Sequence, residues 1–218
     1  MILRGEYSLR AFDAQNMGDV ERINLMFYHP QVMKAKGYFR QGYVLESQAD
    51  LHSIDQQMFK IKSYITRAKQ EVALAVIDKK SSILGWIWFY HDTRHPLPVR
   101  VQKELGITAR NSLIYQLSYQ KLLSTGWTAK LLRNIKYVTP LDLCTERKGV
   151  IVEGLHLAIK RLKSQFRSLY ATKKLVFYAF VSKDNIASSK VLELNKFVKI
   201  GRKYKYDGED QDLWTRII

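Results

Sequence analysis

The side chains of this sequence that can do chemistry are few, and their spacing excludes several reactions. His29, His52, His91, His95 and His156 show no metal-ligand spacing. His91 and His95 stand at the i, i+4 distance of a helical ligand pair, but Pro96 follows directly and breaks a helix there. All five read as surface or hydrogen-bonded histidines. Cys144 is the single cysteine, so an internal disulfide and a cysteine-built zinc site are excluded, and a reducing compartment fits. It reads as a small buried hydrophobe. No serine sits on the nucleophile elbow of a Ser–His–Asp hydrolase. Charge is the unusual feature: 36 Lys and Arg against 20 Asp and Glu give +16. Such a field concentrates anions, whether nucleic acid, ribosomes, an acidic protein, anionic lipid or a phosphorylated cofactor. A solvated basic surface explains the same numbers equally well.

These residues must be positioned by one domain, 1–218. A chain of 218 residues buries about 70% of the surface it exposes unfolded and needs no staples. Its 46% hydrophobic and 26% charged composition excludes disorder. No run approaches the ~20 apolar residues of a membrane span. The start, MILRGEYSLR, has no apolar core of signal-peptide length, so a cytoplasmic protein is expected. Alternation predicts a strand over Tyr7–Phe12, and apolar spacing predicts helices from Met17 to Tyr28 and from about Asp50 to Lys69. EVALAVID (71–78) and ILGWIWFYH (83–91), joined by KKSS, read as a hairpin. Two helices are expected over Val99–Leu105 and Leu113–Leu123, and a fourth strand over Ile135–Leu143, disturbed by Pro140. Then come a helix over Lys148–Leu169, a buried strand over Lys174–Ser182, a helix over Asn185–Phe197 with Asn185 as cap, and strands over Val198–Tyr206 and Asp212–Ile218. The order gives an α/β (α+β) mixed sheet flanked by helices, with a central βαβ unit over 135–182.

With this order on the page, the chain resembles the GNAT superfamily of N-acetyltransferases. The family commonly places, after its fifth strand, an Asn, a small residue three later, a Tyr seven later, and Gly-Phe at eleven and twelve. Asn185, Ser188, Leu192, Lys196 and Phe197 fall at those offsets, with Leu192 in the place of Tyr and Lys196 in that of Gly. LMFYHPQVM (25–33) is similar to the helix–Pro–Val signature of the subgroup that acetylates ribosomal-protein N-termini, and the 71–90 hairpin, with Gly85, is similar to the family's second and third strands. The resemblance covers the chain except about 94–136, which reads as a helical insertion between the third and fourth strands, serving as a lid over the acceptor side or as a dimerisation element.

The resemblance implies acetyl transfer from acetyl-CoA to a primary amine of a protein, peptide or small molecule. It implies a cofactor loop Arg/Gln-x-x-Gly-x-Gly/Ala, aligned here with Arg147 on the Arg and with Val150 and Val152 on the glycines. Backbone N–H groups of such a loop and the helix N-terminus bind the diphosphate. Leu141, Leu143, Arg147, Lys148, Gly149, Val150, Ile151, Val152, Asn185 and Ser188 are the implied cofactor residues. Valine keeps the N–H but adds bulk, so weaker or shifted binding is expected. A base must deprotonate the ammonium, and Asp142 on the fourth strand is the implied candidate, with Glu104 and Glu146 as substitutes and a turn or cap carboxylate as the other reading of Asp142. Leucine at 192 cannot protonate a thiolate, so either the coenzyme A thiolate leaves without a strong acid or Tyr137, Tyr115, Tyr119 or Tyr178 replaces the family Tyr. Trp86, Trp88, Phe89 and Tyr90 could line an acceptor pocket or belong to the core. Two rival functions stand beside this one: a non-catalytic GNAT-like module that binds RNA or an acidic protein, and an acyltransferase fed by an acyl carrier protein. A homodimer is compatible with either.

Overall fold

The computed structural model describes residues 7–11, 13, 16, 19, 72–77, 79, 83–91, 93, 95–121, 149–169, 172–206 and 208–218. Its strands are β1 (Ser8–Ala11), β2 (Val72–Ile77), β3 (Ile83–Tyr90), β4 (Ser112–Lys121), β5 (Lys174–Ser182), β6 (Val198–Tyr206) and β7 (Glu209–Ile217). Its helices are α1 (Val99–Glu104), α2 (Val150–Leu169) and α3 (Ile186–Leu194). The strands form one seven-stranded sheet in the order β1-β2-β3-β4-β5-β7-β6. Only the β4–β5 pair is parallel; the other pairings are antiparallel. The mixed sheet flanked by helices is the expected fold class.

Two crossovers fix which face each helix covers. β4-α2-β5 and β5-α3-β6 both step in the same direction along the sheet, so right-handed connections put α2 and α3 on one face. The expected α2 stripe (Ile151, Leu155, Ala158, Ile159 and Leu162) is buried there against Ile87, Phe89, Leu117 and Phe177. Each of the Ile and Leu side chains contributes about 1.5–3 kcal/mol of burial. Lys160, Arg161 and Lys163 face solvent. α1 lies on the other face, with Leu97, Val101 and Ile107 buried against Val176, Tyr178 and Leu213. At the sheet's first edge, the Arg10 guanidinium grips the buried Asp19 carboxylate with both terminal nitrogens at 2.5 Å. Asn16 Oδ1 accepts from Asp19 N at 3.2 Å, an N-terminal cap where the sequence turns helical.

The main correction concerns the fourth strand. The segment read as a helix over Leu113–Leu123 is β4, Ser112–Lys121. In SLIYQLSYQK, Leu113, Tyr115, Leu117 and Tyr119 pack toward α2 while Ile114 packs toward α1. That is a period of two, and its closely spaced apolar residues imitate a helical stripe. The span 94–136 is therefore no wholly helical insertion: residues 91–111, with α1, join β3 to β4, and β4 itself fills the middle. The central unit is β4-α2-β5, not a unit beginning at Ile135. The expected strand over 135–143 and helix over 50–69 lie outside the described residues, as does the helix over 17–28 apart from Asp19.

Candidate active site

β4 and β5 pair from Ser112↔Lys174 to Gln116↔Tyr178 and then part. Beyond that point β4 stays with β3, from Leu117↔Phe89 to Lys121↔Gly85. β5 stays with β7, from Ala179↔Trp214 to Ser182↔Gln211. A wedge therefore opens in the middle of the sheet, with its apex at Gln116 and Tyr178. Alternate peptide groups of residues 117–120 turn toward this gap, where no strand among the described residues pairs with them.

The start of α2 stands at the open end of this wedge. A Cβ on Gly154 would lie within 3.3 Å of Val76 and Ile87 side-chain atoms, level with the far end of β4. Phe166, near the other end of the helix, packs on Tyr115 with ring centroids 5.9 Å apart. α2 thus runs antiparallel to β4, and its first amides precede the first intrahelical bond, Glu153 N to Gly149 O at 2.9 Å. Gly149 has φ +78°, a left-handed conformation, and open space where a side chain would be. Val150 is 1% exposed and packs into the core. Gly149, which directly precedes the helix, is thus the described residue of this segment whose backbone favours glycine, while Val150 and Val152, aligned with the loop's glycines, lie within the first turn of α2.

α3 supplies the other wall. Asn185 Oδ1 accepts from Ser188 N at 3.1 Å, the cap expected from the sequence. Tyr119 reaches over from β4 and donates its hydroxyl to Ser188 O at 3.0 Å, bridging the two walls on the α2–α3 face. Burial pushes the Tyr119 phenol well above its usual range, so it stays protonated at neutral pH. Asn195 Nδ2 donates to Val152 O at 3.1 Å and to Val191 O at 3.0 Å, joining the end of α3 to the first turn of α2. Arg216 Nη1 donates to Asn195 O at 2.6 Å, and burial lowers its pKa. Leu192 is fully buried in the core. Lys196 has φ 60°, which explains why the related pattern carries glycine there.

On the opposite face, Gln116 Nε2 donates to Tyr206 Oη at 3.3 Å, and Tyr178 donates its hydroxyl to His95 O at 3.0 Å. Gln116 Oε1 is buried with no hydrogen-bond partner among the described residues; such an orphan costs about 1–3 kcal/mol. The aromatic run of β3 is split between faces: Phe89 is core beside α2, while Trp86, Trp88 and Tyr90 form a ring ladder on the α1 face, with centroids 5.3 and 4.6 Å apart. His91 and His95 diverge, the first stacking on Tyr115 and the second on Tyr206.

Of the expected site residues, the structure describes Gly149, Val150, Ile151 and Val152 at the start of α2, and Asn185 and Ser188 at the start of α3. Leu141, Leu143, Arg147, Lys148, Asp142 and Tyr137 lie outside the described residues. Glu104 pairs with Arg100 on exposed α1, beside the closed end of the β4–β5 pairing. Gln116 and Tyr206 were missed. The two-residue alternation of 112–121 was the signal that would have put Gln116 on a strand.

No protein-family model and no curated protein sequence matches the chain. Solved structures do. A GNAT-family acetyltransferase from Bacillus anthracis is 14% identical with a TM-score of 0.53, covering 100% of this chain and 96% of its own. Spermidine N-acetyltransferase from Vibrio cholerae, solved with CoA and spermine, is 16% identical with a TM-score of 0.53 over 99% and 96%. Ribosomal-protein-S5-alanine acetyltransferase from Vibrio fischeri is 17% identical with a TM-score of 0.50 over 97% and 93%. Likeness at this identity speaks for architecture, and together with the parted β4 and β5 it gives the conclusion that this chain has the fold of the GNAT acetyltransferases.

Proposed function

We propose that the protein is an N-acetyltransferase that uses acetyl-CoA to acetylate a primary amine. The observation that carries this reading is the parting of β4 and β5 beyond Gln116 and Tyr178, with Gly149 and the first amides of α2 at its open end. Bound acetyl-CoA supplies an acetyl group activated as a thioester. The chain's own groups do the rest. The α2 amides from Val150 to Val152 hold the diphosphate. The β4 edge beyond Gln116, where it has parted from β5, holds the extended arm as an added strand would be held. A β4 amide near the apex is oriented to donate to the oxyanion formed when the amine attacks the carbonyl, a contribution of a few kcal/mol.

Of the three described tyrosines that could replace the family's proton donor, Tyr119 fits best. Tyr115 is packed among His91, Phe166 and Phe177, and Tyr178 is committed to His95 O on the other face. Tyr119 lies on the parted stretch of β4 and bridges the wedge on the α2–α3 face; to protonate the thiolate its hydroxyl must leave Ser188 O. Isothermal titration with acetyl-CoA tests the reading. Saturable heat with a raised unfolding temperature is expected, and neither at millimolar acetyl-CoA would remove it. The burial of Leu192 where the family has tyrosine favours a second reading, a non-catalytic module for a polyanion such as RNA. Salt-sensitive RNA retention on filters, without any response to acetyl-CoA, would select it.

A further inference from the structure

The wedge is open to two faces, and they are furnished differently. α2 and α3 cover one. On the other, Trp88 and Tyr90 stand half-buried beside their register partners on β4, Ser118 and Gln116. From the far side Phe180, Tyr204 and Tyr206 are half-buried too, and the Tyr206 ring lies 4.9 Å from Phe180 and 4.4 Å from His95. Tyr206 belongs to the edge strand β6, yet its hydroxyl meets Gln116 on β4, so its ring spans the wedge on this face. Gln116 is the last β4 residue paired with β5, is 3% exposed, and keeps Oε1 without a partner among the described residues. A buried amide oxygen at the branch point of two strands bears its whole desolvation cost unless a donor arrives.

We propose that Gln116 Oε1 is the group that positions the acceptor, receiving an N–H of a primary monoamine that enters over the Trp88–Tyr90–Tyr206 rings, with Tyr206 as the movable cover. The proposal rests on the acetyltransferase reading and names its substrate class. Ring faces hold a single ammonium by cation–π attraction. The +16 of the chain repels a polycation such as spermidine more strongly than a single ammonium. The class is therefore a monoamine, or an amine on a carrier of net negative charge, which the same field attracts.

The test uses the full chain, with phenethylamine and spermidine as probes and with CoA present or absent. Quenching of tyrosine and tryptophan fluorescence gives amine affinity, and thiol release from acetyl-CoA gives amine KM. Gln116→Leu should weaken phenethylamine binding about tenfold and leave acetyl-CoA affinity unchanged, since the lost bond is one net hydrogen bond to a charged donor. Tyr206→Phe keeps the ring but frees Gln116, and should tighten phenethylamine binding about threefold. Unchanged amine affinity in both variants, or tighter binding of spermidine than of phenethylamine, overturns the proposal. If Gln116→Leu does not fold, Tyr206→Phe decides by itself. If acetyl-CoA does not bind the native chain, the enzyme reading fails, and amine quenching in the CoA-free protein still decides this one.

Discussion

Replacing Gly154 with alanine tests the packing that sets α2 over the wedge. A Cβ built at Gly154 would lie 2.6 Å from Val76 Cγ2, 3.1 Å from Val76 Cγ1 and 3.3 Å from Ile87 Cδ1. Ordinary contact begins at 3.4 Å, so the methyl is short of room by about 0.8 Å. Val76 is a branched, fully buried side chain on β2 and cannot swing aside. In an exposed helix the same change stabilises by about 1 kcal/mol, because alanine loses less backbone entropy than glycine. Here, with about 0.8 Å to find against a side chain that cannot yield, overpacking falls in the upper part of its usual range, about 2–3 kcal/mol, which outweighs that gain. The expected net effect is a loss of about 1–2 kcal/mol, or roughly 2–8 °C in Tm for a chain of this size. Urea denaturation of Gly154→Ala, Val76→Ala and the double variant measures it. Val76→Ala removes both clashing methyls, so the double variant should recover at least about 1 kcal/mol relative to additivity. A Gly154→Ala protein as stable as the parent, or more stable, or a pair that simply adds, would refute the reasoning.

Four further outcomes follow from single features. Lys196→Gly relieves a left-handed residue at φ 60° and should stabilise by up to ~1 kcal/mol, the relief being partly offset by the greater unfolded-state freedom of glycine; thermal unfolding reads it. Asn185→Ala removes the bond to Ser188 N and should cost about 1 kcal/mol, with hydrogen exchange rising first in the opening turn of α3. Gly149→Val forces a branched residue to φ +78° and should weaken acetyl-CoA binding by titration, while a change confined to stability would detach Gly149 from the cofactor. Burial lowers the pKa of His91. The unfolded chain then binds the extra proton first, so His91 makes stability fall as pH drops from about 7 through the ordinary histidine range and the lower folded pKa. His91→Asn should flatten that acid slope in chemical denaturation.

Local chemistry settled much of this molecule before any contact was known. The buried run of β5, the amphipathic stripe of α2 and the Asn185 cap each rest on residues a few positions apart, so the sequence alone determines them, and the basic balance of +16 needs no fold at all. β4 was different. Its apolar residues satisfy a helical spacing and a two-residue alternation at once, and the choice belongs to its neighbours: β3 and β5 complete its hydrogen-bond ladder, while α2 and α1 cover its two faces. That one assignment carried the site with it, because the wedge exists only where β4 leaves β5. The left-handed φ of Gly149 likewise needed the structure, since it is a property of how the chain enters α2. Gln116 meets Tyr206 across 90 residues of sequence. Nothing local predicts that meeting, because it depends on β6 returning to the far edge of the sheet and on the length of a tyrosine reaching back across two strands.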